Sequence, residues 1–133
     1  MELHRGRLID HLQLRCANLE ASRRFYEALF RVLGREIIEI APGLLVADEV
    51  CLTPSDGATS RIHLAFQTES REQVDRVHAA GLAAGGRDNG KPGERHYHPG
   101  YYAGFLLDPD GNNIEAVHHG PAARSAPSVV ITT

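Results

Sequence analysis

The amino-acid sequence predicts an α+β fold. Two βαβββ modules form a curved mixed β-sheet around a central cleft, with the helices on the outer face. Three observations carry that prediction. First, residues 8–25 laid over residues 60–77 without a gap place His11 on His63, Leu12 on Leu64, Leu14 on Phe66, Asn18 on Ser70 and Phe25 on Val77. Second, each of these units reads as an alternating strand, an N-cap and a helix, followed by three more strands, the pattern of an internal duplication. Third, the turn Asp108-Pro109-Asp110-Gly111-Asn112 leads into an otherwise apolar strand that carries one carboxylate, Glu115.

In chain order, residues 1–7 are polar and read as a loose arm. Residues 8–16 alternate, with Leu8, Asp10, Leu12, Leu14 and Cys16 on one, mostly apolar, parity and Ile9, His11, Gln13 and Arg15 on the other. That period of two is a half-buried strand. Asn18 is a good N-cap for a helix running to about Leu33, where Ser22, Phe25, Tyr26, Leu29, Phe30 and Leu33 recur at helical spacing and Gly34 supplies a C′ stop. Strands follow at 35–40, 44–47 and 49–53. The stretch 54–60, rich in turn residues, divides a first module, 8–54, from a second, 61–119.

The second module opens on the alternating strand 61–68. Ser70, with Gln73 three residues on, forms a capping-box pattern for a helix ending near Ala80, with Gly81 available as its terminator. Residues 85–95 are Gly- and charge-rich and read as a frayed strand plus loop. Residues 101–107 are aromatic and apolar, which suits a strand. Pro109 and Gly111 make 108–112 a hairpin turn rather than a calcium loop. The segment 120–133 is a Pro/Ala/Ser-rich tail whose closing Val129-Val130-Ile131-Thr132-Thr133 either adds an edge strand or packs on a partner.

Composition narrows the function classes. A chain of 133 residues with 42% hydrophobic content supports one folded domain. A formal net charge of −3, with no basic patch, argues against nucleic acid. No apolar run approaches bilayer length, and the N-terminus lacks the apolar core of a signal peptide. Cys16 and Cys51 are too few for a disulfide framework, so a reducing, cytoplasmic setting is expected. Eight histidines raise the question of a metal.

The duplication gives that question an answer. His11 and His63 occupy equivalent places on the face away from the helices. Aligning the fourth strands makes Cys51 and Glu115 equivalent. The cleft then gathers His11, His63, Glu115 and either Cys51 or its same-parity neighbour Glu49. Two neutral imidazoles and one carboxylate suit a divalent ion such as Fe, Mn, Zn or Ni, and leave positions open for a small-molecule substrate. Arg15 shares the polar parity, either to hold an anionic substrate group or to form a rim salt bridge. Tyr101 and Phe105 share a parity that can wall the cleft.

The segments DHLQLRCANLEASRRFYEAL, RIHLAF and DPDGNNIEAV resemble the vicinal oxygen chelate superfamily, over about Ile9 to Val117. That group includes glyoxalase I, extradiol dioxygenases, fosfomycin-resistance thiol transferases and bleomycin-resistance proteins. The resemblance implies metal ligands at His11, His63 and Glu115, with Glu115 counted among the catalytic residues. It also implies an acid/base group, for which His96, His98 and Glu49 are the candidates. It implies a homodimer, and lyase, isomerase or ring-cleaving dioxygenase chemistry on a substrate that chelates through vicinal oxygens; the alternative is a metal-free dimeric binding protein of the bleomycin-resistance type. The pattern departs at Cys51, where glyoxalase I has an acid. It departs again at Phe105, where the dioxygenases and fosfomycin enzymes have a tyrosine, and at Gln13, where the latter have a threonine.

Overall fold

The computed structural model describes residues 2–5, 8–121 and 129–132; the part of the expected tail at 122–128 lies outside them. In order the elements are β1 (Glu2–Arg5), β2 (Leu12–Cys16), α1 (Leu19–Val32), β3 (Ile38–Ala41), β4 (Leu44–Ala47), β5 (Val50–Pro54), β6 (His63–Gln67), α2 (Arg71–Ala83), β7 (Arg87–Glu94), β8 (Tyr102–Leu107), β9 (Asn113–His118) and β10 (Val129–Thr132). The two modules each build a four-stranded mixed sheet, in the orders β2-β5-β4-β3 and β6-β9-β8-β7. In both, the first pair is parallel and the others antiparallel.

Both helices form where caps and apolar spacing direct them. Asn18 Oδ1 accepts from the Ala21 amide, and Ser70 Oγ from the Gln73 amide, satisfying one orphan donor at each N-terminus. At the end of α1, Arg35 N–H donates to Phe30 O and Gly34 N–H to Arg31 O. This is a Schellman closure, with Gly34 at φ 73°. The second helix repeats the closure three residues later than its sequence predicts, through Gly86 N–H to Gly81 O, with Gly85 at φ 98°. Gly81 is therefore not a terminator. It is a packing site: a Cβ there would lie 2.3 Å from Leu106 Cδ1 and 3.0 Å from Leu29 Cδ1, so its missing side chain lets α2 close on α1 and β8.

The core runs through both modules. Phe25, Tyr26, Leu29 and Phe30 of α1 are buried with Leu14, Leu45 and Leu52 of the first sheet and with Val74, Val77, Leu106 and Ile114 of the second. Each such side chain contributes about 1.5–3 kcal/mol of transfer free energy. Tyr26 also donates to Asp108 Oδ2 at 2.6 Å, tying α1 to the β8–β9 turn. Asp108 in turn accepts from the Asp110 and Asn112 amides and from Asn112 Nδ2.

Three further expectations change. The first alternating strand is hydrogen-bonded only from Leu12; Leu8 is 96% exposed, so the apolar parity is not buried at its start. Residues 87–94 form a complete eight-residue strand, with register shifts where Gly90 and Gly93 fall. The N-terminal arm is not loose at Glu2–Arg5, since β1 pairs antiparallel with β10, which settles the closing segment as a strand.

A carboxylate-centred candidate site on the second sheet

Ladder registers confirm the equivalence read from the duplication. Gln13 pairs with Cys51 between β2 and β5, and Ala65 with Glu115 between β6 and β9. Residues 13 and 65 are partners in the repeat, so Cys51 and Glu115 hold the same place in their sheets. On the next strands Val46 faces Cys51 and Phe105 faces Glu115.

Glu115 is the centre of the second sheet's open face. The strand alternation turns Ile114 and Ala116 into the helix-side core and Glu115 the other way. Its side chain is 3% exposed, yet both oxygens have partners. His63 Nε2 lies 2.8 Å from Oε2. The Tyr101 hydroxyl donates to Oε1 in a short hydrogen bond. Burial, and then the carboxylate that accepts its proton, push the Tyr101 phenol well above its ordinary value of 10.0. Tyr101 therefore stays a donor throughout the neutral range.

Tyr101 is itself held by rings. Tyr97, His98 and His119 meet it edge-on at centroid distances of 5.0, 5.3 and 5.2 Å. His98 Nε2 lies 2.9 Å from His119 Nδ1, while His98 Nδ1 faces Pro99 O at 2.8 Å. A carbonyl only accepts, so His98 carries its proton on Nδ1, and in the neutral pair His119 donates from Nδ1. His96 contacts Tyr97, at 5.0 Å between rings. Phe105 lies 6.1 Å from the His63 ring.

The structure thus brings together His63 and Glu115 and sets His98 beside them through Tyr101, while His96 sits one ring further out. It does not bring His11 to them within one chain. His11 Nδ1 contacts Asp10 Oδ1 at 2.7 Å, with a side chain 57% exposed. Among the described residues no three His, Cys, Asp or Glu side chains converge as a metal-ligand group. The donor chemistry nevertheless suits a divalent ion in part. An imidazole nitrogen and a carboxylate oxygen already point at one another on an accessible face, and the missing donor is a second imidazole. Glu49 precedes the first paired residues of β5 as His11 precedes those of β2, and burial raises its carboxyl above the ordinary range. Arg15 resolves to the rim salt bridge, with Nη1 donating to Asp56 Oδ1 at 2.7 Å.

Two contacts escape sequence reasoning: the Tyr101–Glu115 bond and the His98–His119 pair. Both follow from one parity rule, since Tyr101 and Phe105 alternate onto the face of Glu115 and His119.

The duplicated βαβββ architecture recurs in known proteins. A sequence profile of the Glyoxalase/Bleomycin resistance protein/Dioxygenase superfamily matches residues 8–116, and the chain belongs to that superfamily. A glyoxalase/bleomycin resistance protein from Albidiferax ferrireducens T118 is 33% identical, with TM-score 0.70 over 81% of this chain and 95% of that one. The oxidase ChaP-H2 is 25% identical, with TM-score 0.59 over 80% and 89%. A lactoylglutathione lyase from Agrobacterium tumefaciens, 22% identical with TM-score 0.59 over 80% and 90%, shares the fold. No curated protein matches significantly. No helix among the described residues is long and apolar enough to cross a membrane.

Proposed function

We propose that this protein is a divalent-metal-dependent enzyme acting on a small molecule that presents two vicinal oxygens. His63 and Glu115 hold the ion from one chain, and His11 of a second copy completes the set. The observation that carries the proposal is the His63–Glu115 pair, whose buried carboxylate is oriented by Tyr101 at an accessible face. The separation of His11 from that pair supports a shared site, because the duplication gives His11 and His63 equivalent places while no three such side chains converge among the described residues of one chain. The bound ion (Fe, Mn, Zn or Ni) supplies Lewis-acid stabilisation of charge developing on substrate oxygen. Glu115 and His63 orient the chelating oxygens. Tyr101 holds Glu115 in place, and the buried setting of that carboxylate strengthens each polar contact. His98 and His96 are the acid/base candidates on the same face. Lyase or isomerase chemistry and ring-cleaving dioxygenation are the two branches this arrangement serves, and the metal's identity selects between them.

The test is metal content followed by complementation. The wild type takes up a divalent ion, and His11→Ala and Glu115→Ala each lose it. Co-refolding the two variants regenerates one intact site per mixed dimer, and so about a quarter of wild-type sites on statistical mixing. Uptake by neither wild type nor mixture leaves the metal-free binding protein as the surviving reading. Loss in both variants without recovery on mixing rejects the shared site.

A further inference from the structure

We infer that Arg95 is the anchor for an anionic oxygen group, a carboxylate or a phosphate, on the small molecule that binds this face. The inference deepens the proposed function and rests on it for the location of the substrate. The Arg95 guanidinium lies over the Phe105 ring, 5.3 Å from its centroid. Phe105 is the ladder partner of Glu115 and neighbours the His63 ring, so Arg95 stands on the same face as the histidine–carboxylate pair.

The backbone is shaped for this side chain. A Cβ at Gly90 would sit 3.1 Å from Phe105 Cδ2 and 3.4 Å from Arg95 Nη2; a Cβ at Gly93 would sit 3.1 Å from Arg95 Nη1. Both glycines of β7 therefore clear the space the fork occupies. Arg95 Nη2 donates to Lys91 O at 2.7 Å and Nη1 to Glu94 O at 3.3 Å, which fixes the plane of the guanidinium. A guanidinium has five N–H donors, and two are spent on these carbonyls.

Among the described residues no Asp or Glu pairs with the remaining three. Arg15, Arg31, Arg35 and Arg71 are each paired with an Asp or Glu; Arg23, Arg24, Arg61, Arg76 and Arg87 show no such pair either, but it is Arg95 that carbonyls and a ring hold in place. A half-buried, immobilised cation with spare parallel donors is suited to bidentate binding of an oxyanion. Its immobilisation lowers the ordering cost that a flexible surface arginine would incur on binding. Arg15, the cation that sequence parity favours for this role, is already committed to Asp56.

The experiment titrates inorganic phosphate and, separately, acetate into the labelled full-length protein while the Arg95 Nε–H and Phe105 ring resonances are followed by NMR. Saturable shifts at both are expected with at least one anion, and the anion that shifts them more strongly is the preferred class. Arg95→Gln should weaken the binding at least tenfold, Arg95→Lys less, and Gly93→Ala should weaken it by displacing Nη1. Arg71→Gln, which removes an arginine paired with Glu94, should leave it unchanged. Glu115→Gln should also leave it intact, which separates this inference from the metal site. Loss of anion binding in Glu115→Gln but not in Arg95→Gln would assign the anion to the metal and overturn the role of Arg95. Absence of shifts with either anion, or equal binding by Arg95→Gln, overturns it as well.

Discussion

Tyr26→Phe isolates one buried contact between the two modules behind the site. Its hydroxyl donates to Asp108 Oδ2 at 2.6 Å, and Asp108 is 2% exposed. A hydrogen bond to a charged acceptor contributes about 1.5–3 kcal/mol. Asp108 retains three donors in the variant, from the Asp110 amide, the Asn112 amide and Asn112 Nδ2, so the carboxylate is not orphaned and the lower part of that range applies. A loss of about 2 kcal/mol at pH 8 corresponds to a fall of roughly 6–10 °C in Tm for a chain of this size. Burial, and then the neighbouring Asp108 charge, raise the Tyr26 phenol well above its ordinary 10.0. The stability this proton represents is complete below pH 10, where both states keep it. It is lost as pH rises, because the unfolded phenol ionises first. Between pH 10 and pH 11 that term weakens the wild type and leaves the variant untouched. The gap between the two proteins should therefore narrow from its value of about 2 kcal/mol at pH 8. Tyr101 and Tyr102, also raised, are common to both and cancel. Urea denaturation at pH 8 and pH 11 measures the gap directly. A gap below about 0.5 kcal/mol at pH 8, or one that does not narrow at pH 11, would refute the reasoning.

Gly81→Ala sets a helix-propensity gain of about 1 kcal/mol against overpacking of about 1–3 kcal/mol. With Leu106 Cδ1 at 2.3 Å the overpacking should win, and a higher melting temperature would count against the packing described here. Asp88 accepts from the Gly90 amide and contacts His78 Nε2 at 3.0 Å; the amide first, then His78, hold its carboxyl below the ordinary 3.8. That stabilisation is present above 3.8 and lost as pH falls through the lower folded value. Asp88→Asn should accordingly flatten the acid limb of the stability curve, and an unchanged acid limb would show the contact to be idle.

Much of the fold was legible because its signals were periodic. The alternation in residues 8–16 and 61–68, the caps at Asn18 and Ser70 and the DPDGN turn each specify a local geometry without reference to the rest of the chain. Where legibility failed, tertiary packing outweighed local chemistry. Gly81 looked like a terminator because glycine usually is one, but the space between Leu29 and Leu106 required it inside α2. Residues 87–94 look frayed because glycines weaken strands, yet they pair with β8 through two register shifts and the glycines make room for Arg95. The site was half legible. Parity put His63 and Glu115 on one face, and their contact follows. Sequence carries no record of which chain supplies the opposite wall, so the place of His11 relative to that pair could not be read from spacing.

The difference between the modules explains why the chain has one carboxylate centre. Residues 51 and 115 hold the same ladder position, and both are nearly inaccessible. A carboxylate in such a place is tolerated only with charged or hydrogen-bonded partners. At 115 those partners exist: His63 on the neighbouring strand and the raised, proton-bearing Tyr101. At 51 the ladder neighbours are Gln13 and Val46, neither of them an imidazole. Cysteine fills that place as a small apolar group at little cost. The duplication has therefore diverged into complementary halves. The second module supplies an imidazole, a carboxylate and the tyrosine that orients it. The first presents an imidazole just before β2, whose same-parity residues are Gln13 and Arg15. Within the described residues of one chain His11 does not join His63 and Glu115. On the shared-site proposal, a variant that weakens self-association should lose metal uptake in parallel, and a monomeric variant that keeps full uptake would refute it.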